Sequence, residues 1–277
     1  MAPLKAQPPA GGTLHPWREI LHRARDPRLV IDTAIRTVTR GWDLVSPSEF
    51  SSLYRQVRAY TMCSNARLRG LYRGVRHIVT HNIPGDVVEC GSAQGGSAAL
   101  MALTLRQLAA QRKMWLFDTF EGLPAPSAND PDRHIAELFT GTCVGTLDEV
   151  RALFTRLGVS EGVEMVPGLF QNTFPIAPVS QIAFLHIDGD WYESVKVCLD
   201  HLYDKVAPGG IIQFDDYGYW QGARKAVDEF LDRRGIRAPL RRLDYSGRFL
   251  VKPESETRFS SAIKCSPAPN TQSAGRG

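Results

Sequence analysis

Two short apolar runs in this chain end in acidic residues: 182–187 leads into Asp188-Gly189-Asp190, and 210–214 leads into Asp215-Asp216. Runs of that length and makeup read as buried β-strands. As neighbours in a parallel sheet they would bring these carboxylates to one edge, where like charges repel and raise one another's pKa unless a cation neutralises them. A hard divalent ion suits such oxygen ligands, and Mg2+ commonly takes one or a few carboxylates while leaving positions for water and substrate. An ion of that kind lowers the pKa of a bound hydroxyl, so a neighbouring carboxylate can take the proton near neutral pH. Plainer uses compete. Asp190 reads first as the N-cap of a helix starting near Trp191. Asp215 and Asp216 also suit a turn before Tyr217-Gly218, and His186, inside the strand, reads as a core residue with a satisfied hydrogen bond and as the weaker candidate base.

A second constellation lies upstream. The apolar run 87–90 leads straight into Gly91-Ser92-Ala93-Gln94-Gly95-Gly96-Ser97, and a helix from Ala98 to about Leu108 follows. Glycines allow a sharp turn and close backbone approach, and the helix N-terminus offers free N–H groups. The next strand ends at Phe117-Asp118, where a carboxylate can accept hydrogen bonds from both hydroxyls of a ribose. Together these ends suggest an adenosine-containing cofactor. The glycine spacing fits the dinucleotide fingerprint only with Ala93 in place of its second glycine, where a pyrophosphate needs close approach. S-adenosylmethionine has no pyrophosphate and tolerates that change.

The elements that must hold these groups alternate along the chain. Strand-length runs at 87–90, 114–117, 163–166, 182–187 and 210–214 are separated by helical stretches, one with an apolar face of Val195, Cys198, Leu199, Leu202 and Val206. Such alternation predicts an α/β fold with a mostly parallel sheet covered by helices on both faces. Runs 240–245 and 248–252, joined by Ser246-Gly247, read as a closing antiparallel hairpin. Upstream, residues 17–83 read as a helical cap in which Leu68, Leu71, Tyr72, Val75, Ile78 and Val79 share one face. The α/β unit then spans 84–252, and residues 1–16 and 253–277, rich in Pro, Gly, Ser and Ala, read as disordered tails.

Composition narrows the rest. The 277 residues are 43% hydrophobic and 22% charged, enough to bury a sizeable core. A net charge of +4, scattered along the chain, does not suggest nucleic-acid binding. No apolar run approaches the roughly 20 residues that cross a bilayer, and the opening MAPLKAQPPAGG carries no secretory h-region. The 5 cysteines are widely spaced with no C-x-x-C pair, which fits reduced thiols in the cytoplasm rather than a disulfide framework or a zinc site.

The residues resemble the macrocin O-methyltransferase (TylF-type) family of Mg2+- and S-adenosylmethionine-dependent sugar methyltransferases. The resemblance rests on VVECGSAQGGSA (87–98), LFDTFEGLP (116–124), GLFQNTFP (168–175), LHIDGDWYES (185–194) and PGGIIQFDDYGYWQGARKAVDEF (208–230), with RAYTMCSNARLRGLYRGV (58–75) similar to the family's segment that closes over the cofactor. It implies a class I methyltransferase, Rossmann-like, with a seven-stranded sheet and an antiparallel closing strand. It implies cytoplasmic homodimers in antibiotic biosynthesis that methylate a hydroxyl of a sugar or glycosylated natural product. It implies that Asp188, Asp215 and Asp216 hold Mg2+, with Asp188 also the general base. Thr61, Met62, Glu89, Gly91, Ser92, Gly95, Ser97, Asp118, Thr119, Phe120 and Glu121 would contact the cofactor.

Rival readings use less of the chain. Asp188-Gly189-Asp190 is also a D-x-D pattern of metal-dependent glycosyltransferases that use nucleotide sugars, but that leaves the glycine turn and FDTFEGLP unexplained. A dehydrogenase uses the glycines and leaves the acids idle. A methyltransferase-like binding protein without catalysis would not need its motif acids intact. Tyr54, Tyr192, Tyr217, Tyr219 and Trp220 are candidates for an aromatic acceptor pocket, with core packing an equal use for each. Acceptor choice is expected to reside in residues 17–60 of the helical cap.

Overall fold

The computed structural model describes residues 26–254. The chain forms helices α1 (Pro27–Val45), α2 (Glu49–Val57) and α3 (Asn65–Thr80) before the first strand. Strands β1 (Asp86–Cys90), β2 (Met114–Asp118), β3 (Val163–Pro167), β4 (Ile182–Ile187), β5 (Val206–Phe214), β6 (Arg241–Arg242) and β7 (Arg248–Val251) make one sheet in the order β3-β2-β1-β4-β5-β7-β6. Strands β1 to β5 are parallel, and β7 closes antiparallel on β5. The seven-stranded α/β architecture expected from the sequence is therefore present.

The strands are apolar on both faces because helices cover both. One core joins Val88, Phe117, Leu185, Ile187, Ile212 and Phe214 to α8 (Tyr192–Leu202) and α9 (Gln221–Arg234); the other joins Val87, Leu116, Phe184 and Ile211 to α2, α3 and α4 (Gly96–Gln107). Successive strand residues alternate between the two cores, as the pleat requires. Leu68, Leu71, Val75 and Ile78 on α3 are fully buried, each worth about 1.5–3 kcal/mol of apolar burial. A Cβ at Gly74 would collide with the Phe184 ring, so this glycine lets α3 lie directly on the sheet. The helices upstream of residue 84 thus pack into the same core as the sheet.

Two expected boundaries shift. Strand β5 starts at Val206 rather than at 210, and β6 is confined to Arg241–Arg242 instead of 240–245. The cause of the second is local: the Asp244 carboxylate accepts hydrogen bonds from the Ser246 (2.9 Å) and Gly247 (2.6 Å) amides, which turns the chain before the strand can lengthen. The expected tail at 1–16, the cap residues 17–25 and nearly all of the tail at 253–277 lie outside the described residues. No helix among the described residues is long and apolar enough to cross a membrane.

Strand order reverses between β1 and β4, so the loops leaving these two strands diverge and open a crevice at their carboxyl ends. The glycine turn leaves one strand and Asp188 the other.

Candidate active site

The turn after β1 is built by backbone conformation. Gly91 (φ +90°) and Gly95 (φ +81°) occupy the left-handed region that side chains disfavour. A Cβ on Gly91 would strike the carbonyl oxygen of Asp188, so turn and acidic loop are in direct contact. Gly96 donates its N–H to the Tyr60 carbonyl (2.9 Å), which docks the segment carrying Thr61 and Met62 over the start of α4. At the end of β2, Asp118 Oδ2 accepts from the amides of Ser92 (2.6 Å) and Ala93 (3.0 Å), and Oδ1 accepts from Phe120 N–H (2.7 Å). One carboxylate therefore ties the β1 and β2 loops together. Thr119 and Glu121 line a cavity of about 450 Å3 with Gly168 and Leu169 from beyond β3, while Phe120 and Ser97 are buried and Met62 is exposed.

Glu89 is fully buried. Its Oε1 lies 2.9 Å from His186 Nδ1 on the neighbouring strand, and His186 Nε2 lies 3.5 Å from Asp215 Oδ1. His186 is thus a core residue held between two acids, as the plainer sequence reading has it. Glu89 Oε2 and Ser92 Oγ are buried and make no hydrogen bond. Orphaned polar atoms of this kind are costly unless a ligand satisfies them, and a cofactor bearing amine and hydroxyl donors and acceptors suits both.

Across the crevice the acids gather in two overlapping groups. Ligand atoms of Asp188, Asp190 and Asp216 lie within 4.8 Å of one another, and so do those of Cys63, Asp188 and Asp215. The three acids expected to act together are brought to one edge, but Asp215 faces a different way from Asp216. Arg67 pairs with Asp215, and its Nε lies 3.2 Å from Asp244 Oδ2; Cys63 Sγ lies 3.7 Å from Asp215 and 3.9 Å from Asp188. In the other group, burial and then the charge of Asp216 push Asp188 up to about 8. Burial and then Asp188 push Asp190 up to about 8, and burial and then Asp190 push Asp216 up to about 7. Three enclosed carboxylates that resist ionisation form a ready cation site.

Asp190 departs from its expected use. Helix α8 starts at Tyr192 with Trp191 as its cap residue and no side-chain cap bond. Asp190 instead accepts from Trp220 Nε1 (2.9 Å), and its own N–H donates to Asp216 Oδ2 (3.2 Å), which fixes it in the cluster at φ +55°. Sequence reasoning also misses Arg67, which lies 148 residues from its partner with nothing local to mark it. Of the aromatic candidates, Tyr54, Tyr192 and Trp220 are buried; Tyr192 donates to Glu229 (2.6 Å) and Tyr217 to Asp228 (2.8 Å), and Tyr219 packs edge-on against Trp220.

The motif spacing that produces this geometry is matched by a known family: the pattern of macrocin O-methyltransferases (TylF) covers residues 43–252. The chain belongs to the macrocin O-methyltransferase family. It is an O-methyltransferase of the class I fold. The chain is 36% identical over 197 residues to the 8-demethyl-8-(2,3-dimethoxy-alpha-L-rhamnosyl)-tetracenomycin-C 4'-O-methyltransferase of Streptomyces olivaceus, covering 69% of this chain and 75% of the relative. It is 34% identical over 194 residues to the demethyldecarbamoylnovobiocin O-methyltransferase of Streptomyces niveus, covering 68% and 74%. Among solved structures the O-methyltransferase NovP superposes with a TM-score of 0.66 at 33% identity, covering 70% of this chain and 82% of that one. The dehydrogenase and glycosyltransferase readings fall with this family membership. In this macrocin O-methyltransferase family member the glycine turn and the acids face one crevice.

Proposed function

We propose that this O-methyltransferase moves a methyl group from S-adenosylmethionine to a hydroxyl of a sugar or glycosylated natural product, with Mg2+ as its metal ion. The observation that carries the reading is the contact between the glycine turn and the acidic cluster, where Gly91 packs on the backbone of Asp188. The first relative named above acts, by its name, on a rhamnosyl-tetracenomycin, which supports a glycoside acceptor.

When bound, S-adenosylmethionine supplies an electrophilic methyl on a sulfonium, and Mg2+ supplies positive charge that makes a nearby hydroxyl more acidic. Glu89, Ser92 and Asp118, with the backbone of Gly91–Gly95 and the buried Ser97, would hold the cofactor from below. Thr61 and Met62 would hold it from above, and Thr119, Phe120 and Glu121 from the β2 loop. Asp188, Asp215 and Asp216 would hold the ion, and Asp190 stands as a fourth acid beside them. Because Arg67 already pairs with Asp215, the carboxylates whose ionisation a bound cation would favour most are Asp188, Asp190 and Asp216. Asp188 belongs to both groups, so it is the acid placed to take the acceptor proton. No covalent enzyme intermediate is required, and positioning and electrostatics supply the rate.

Calorimetry with S-adenosylmethionine, followed by Mg2+ titration of wild type, Asp215→Asn and Asp216→Asn, tests the reading. Asp216→Asn weakens Mg2+ by at least about tenfold with cofactor binding retained. Unchanged metal affinity in both variants would remove the metal from the site.

A cytoplasmic homodimer completes the proposal. The described cysteines are unbridged, Cys90 and Cys198 among them in the core, as a reducing compartment allows. Helix α1 displays Ile31, Ile35, Val38, Trp42 and Val45 between 58 and 76% exposed, at the alternating spacing of 4 and 3 that lets two helices pair. Trp42→Asp is expected to yield monomers in sedimentation; a monomeric wild type would exclude the dimer.

A further inference from the structure

Beside the acidic cluster lies a cavity of opposite charge. It measures about 420 Å3 and opens between α1, the end of α2 and the segment 61–65. Arg36, Arg40 and Arg58 line it, together with Tyr54 and Cys63. The cavity and the catalytic crevice share Cys63, whose thiol lies 3.9 Å from Asp188 Oδ2. Cys63 therefore borders both spaces.

Among the described residues the three guanidinium groups make no hydrogen bond and no ion pair, in contrast to Arg67 and Arg69 nearby, which are held by Asp215, Asp244 and Asp43. Of the carboxylates nearest the cavity, Asp43 is held by Arg69 and Asn65 and Asp244 by Ser64 and Arg67, while Asp32, one turn before Arg36 on α1, accepts from the Tyr245 amide through Oδ1 and leaves its buried Oδ2 without a hydrogen bond among the described residues. Asp244 feels the charge of Arg36, but only as a minor influence behind that of Arg67 and the bonds from Ser64 and Gly247. Arg36 and Arg40 stand one helical turn apart, a like-charge spacing that disfavours a helix unless an anion lies between. Arg58 is the C-cap residue of α2, where a cation suits the helix end, yet it faces the same cavity as the other two. Ser64 donates to Asp244 and Asn65 to Asp43, so the arginines are the cavity's charged donors, beside the hydroxyls of Thr33, Tyr54 and Thr61.

From this we infer that the acceptor is an anionic sugar derivative, with a phosphate or diphosphate on the sugar seated among Arg36, Arg40 and Arg58 while its hydroxyl lies at Asp188. A single carboxylate is matched by one arginine fork, whereas three arginines lining one cavity suit the multiple charge and many acceptor oxygens of a phosphoryl group. The cavity falls within the usual range for small-molecule sites. The inference rests on the proposed methyl transfer and sharpens its substrate class. It also orders the chemistry: the sugar is methylated while it still carries phosphate, so an enzyme that makes phosphorylated or nucleotide-linked sugars supplies the substrate and a glycosyl transfer that expels the phosphate consumes the product.

Calorimetry with inorganic pyrophosphate in EDTA tests the cavity apart from metal and turnover. Wild type is expected to bind pyrophosphate, with affinity falling at least about tenfold for Arg58→Gln and further for Arg36→Gln/Arg40→Gln. Thermal midpoint and S-adenosylmethionine affinity should be unchanged. If the double variant does not fold, Arg58→Gln alone decides. Absent pyrophosphate binding, equal binding by the variants, or preference for glucuronate over pyrophosphate overturns the inference while intact cofactor and Mg2+ binding leave the methyltransferase reading standing. Loss of cofactor binding by the wild type would instead sink that reading. In turnover, a UDP-sugar or sugar-1-phosphate library should show lower KM than the matching methyl glycosides, and only the phosphorylated acceptors should lose that advantage in Arg58→Gln.

Discussion

At the end of β2, Asp118 is met by three backbone N–H groups. At the ends of β4 and β5, Asp188, Asp190 and Asp216 meet chiefly one another, with only the Trp220 indole and one amide donating to the latter two. The same side chain is thus used in two ways on one sheet edge. Where the loop's own amides supply the donors, the carboxylate is a fastener that shapes a pocket. Where donors are withheld, the charge is left for something that arrives from outside. In the proposed function this contrast would put the nucleoside side of the crevice at β1 and β2 and the reacting side at β4 and β5.

The sharpest way to break this contrast is to neutralise one acid on each side. Asp188→Asn removes the proposed proton acceptor and one ligand, and kcat should fall by about 10^2–10^4-fold, while the affinity for S-adenosylmethionine changes little. Single-turnover methyl transfer in the presence of saturating Mg2+ reads this directly. A variant within threefold of wild type would move the base elsewhere in the cluster, with Asp190 the next group to test.

The fold was legible because its signals are local. Short continuous apolar runs between helical stretches mark buried parallel strands, and the glycines after β1 mark a turn whose φ values only glycine adopts freely. The acids at the strand ends were legible for the same reason: a strand's last residue fixes where its loop begins. Asp190 was misread because a local rule, the preference of aspartate for helix caps, competes with a partner that approaches from another strand. Trp220 and Asp216 settle the contest, and neither adjoins Asp190 in the chain. Arg67 left no local mark at all, since what makes it matter is an acid 148 residues away. The arginines of α1 and α2 read as scattered surface charge until the helices fold over the crevice and turn them toward one cavity.

The metal-free protein should report the withheld charge through pH. Asp188, Asp190 and Asp216 titrate at about 8, 8 and 7 in the fold against an ordinary value of 3.8. Between about pH 4 and pH 8 the folded chain therefore holds more protons than the unfolded chain, so this contribution to stability is present in acid and lost as pH rises. These groups retain some solvent access, so a modest effect is expected: a fall of roughly 2–4 °C in the midpoint, the size of about one pKa unit, from pH 5 to pH 8 in EDTA, relative to Asp190→Asn. Mg2+ should offset the loss, raising the midpoint more at pH 8 than at pH 6 because it competes with protons for the same oxygens. A wild type and an Asp190→Asn variant with parallel profiles would mean that the acids are already neutralised from within.

Asp118→Asn should have the smallest effect, and its pattern matters more than its size. The amide keeps one oxygen to accept from the loop but turns an NH2 toward N–H groups that the lost oxygen had accepted. One or two charge-assisted bonds are lost, each worth about 1.5–3 kcal/mol before the loop relaxes. The glycine turn stays in place through Gly96 and Tyr60, so part of that cost is recovered. Cofactor affinity should drop by about tenfold, Mg2+ affinity should not move, and kcat at saturating cofactor should stay within about threefold. If Asp118→Asn instead weakens Mg2+ as much as the cofactor, the two sides of the crevice act as one unit through the contact of Gly91 with Asp188, and the division between fastener and open charge would no longer describe the site.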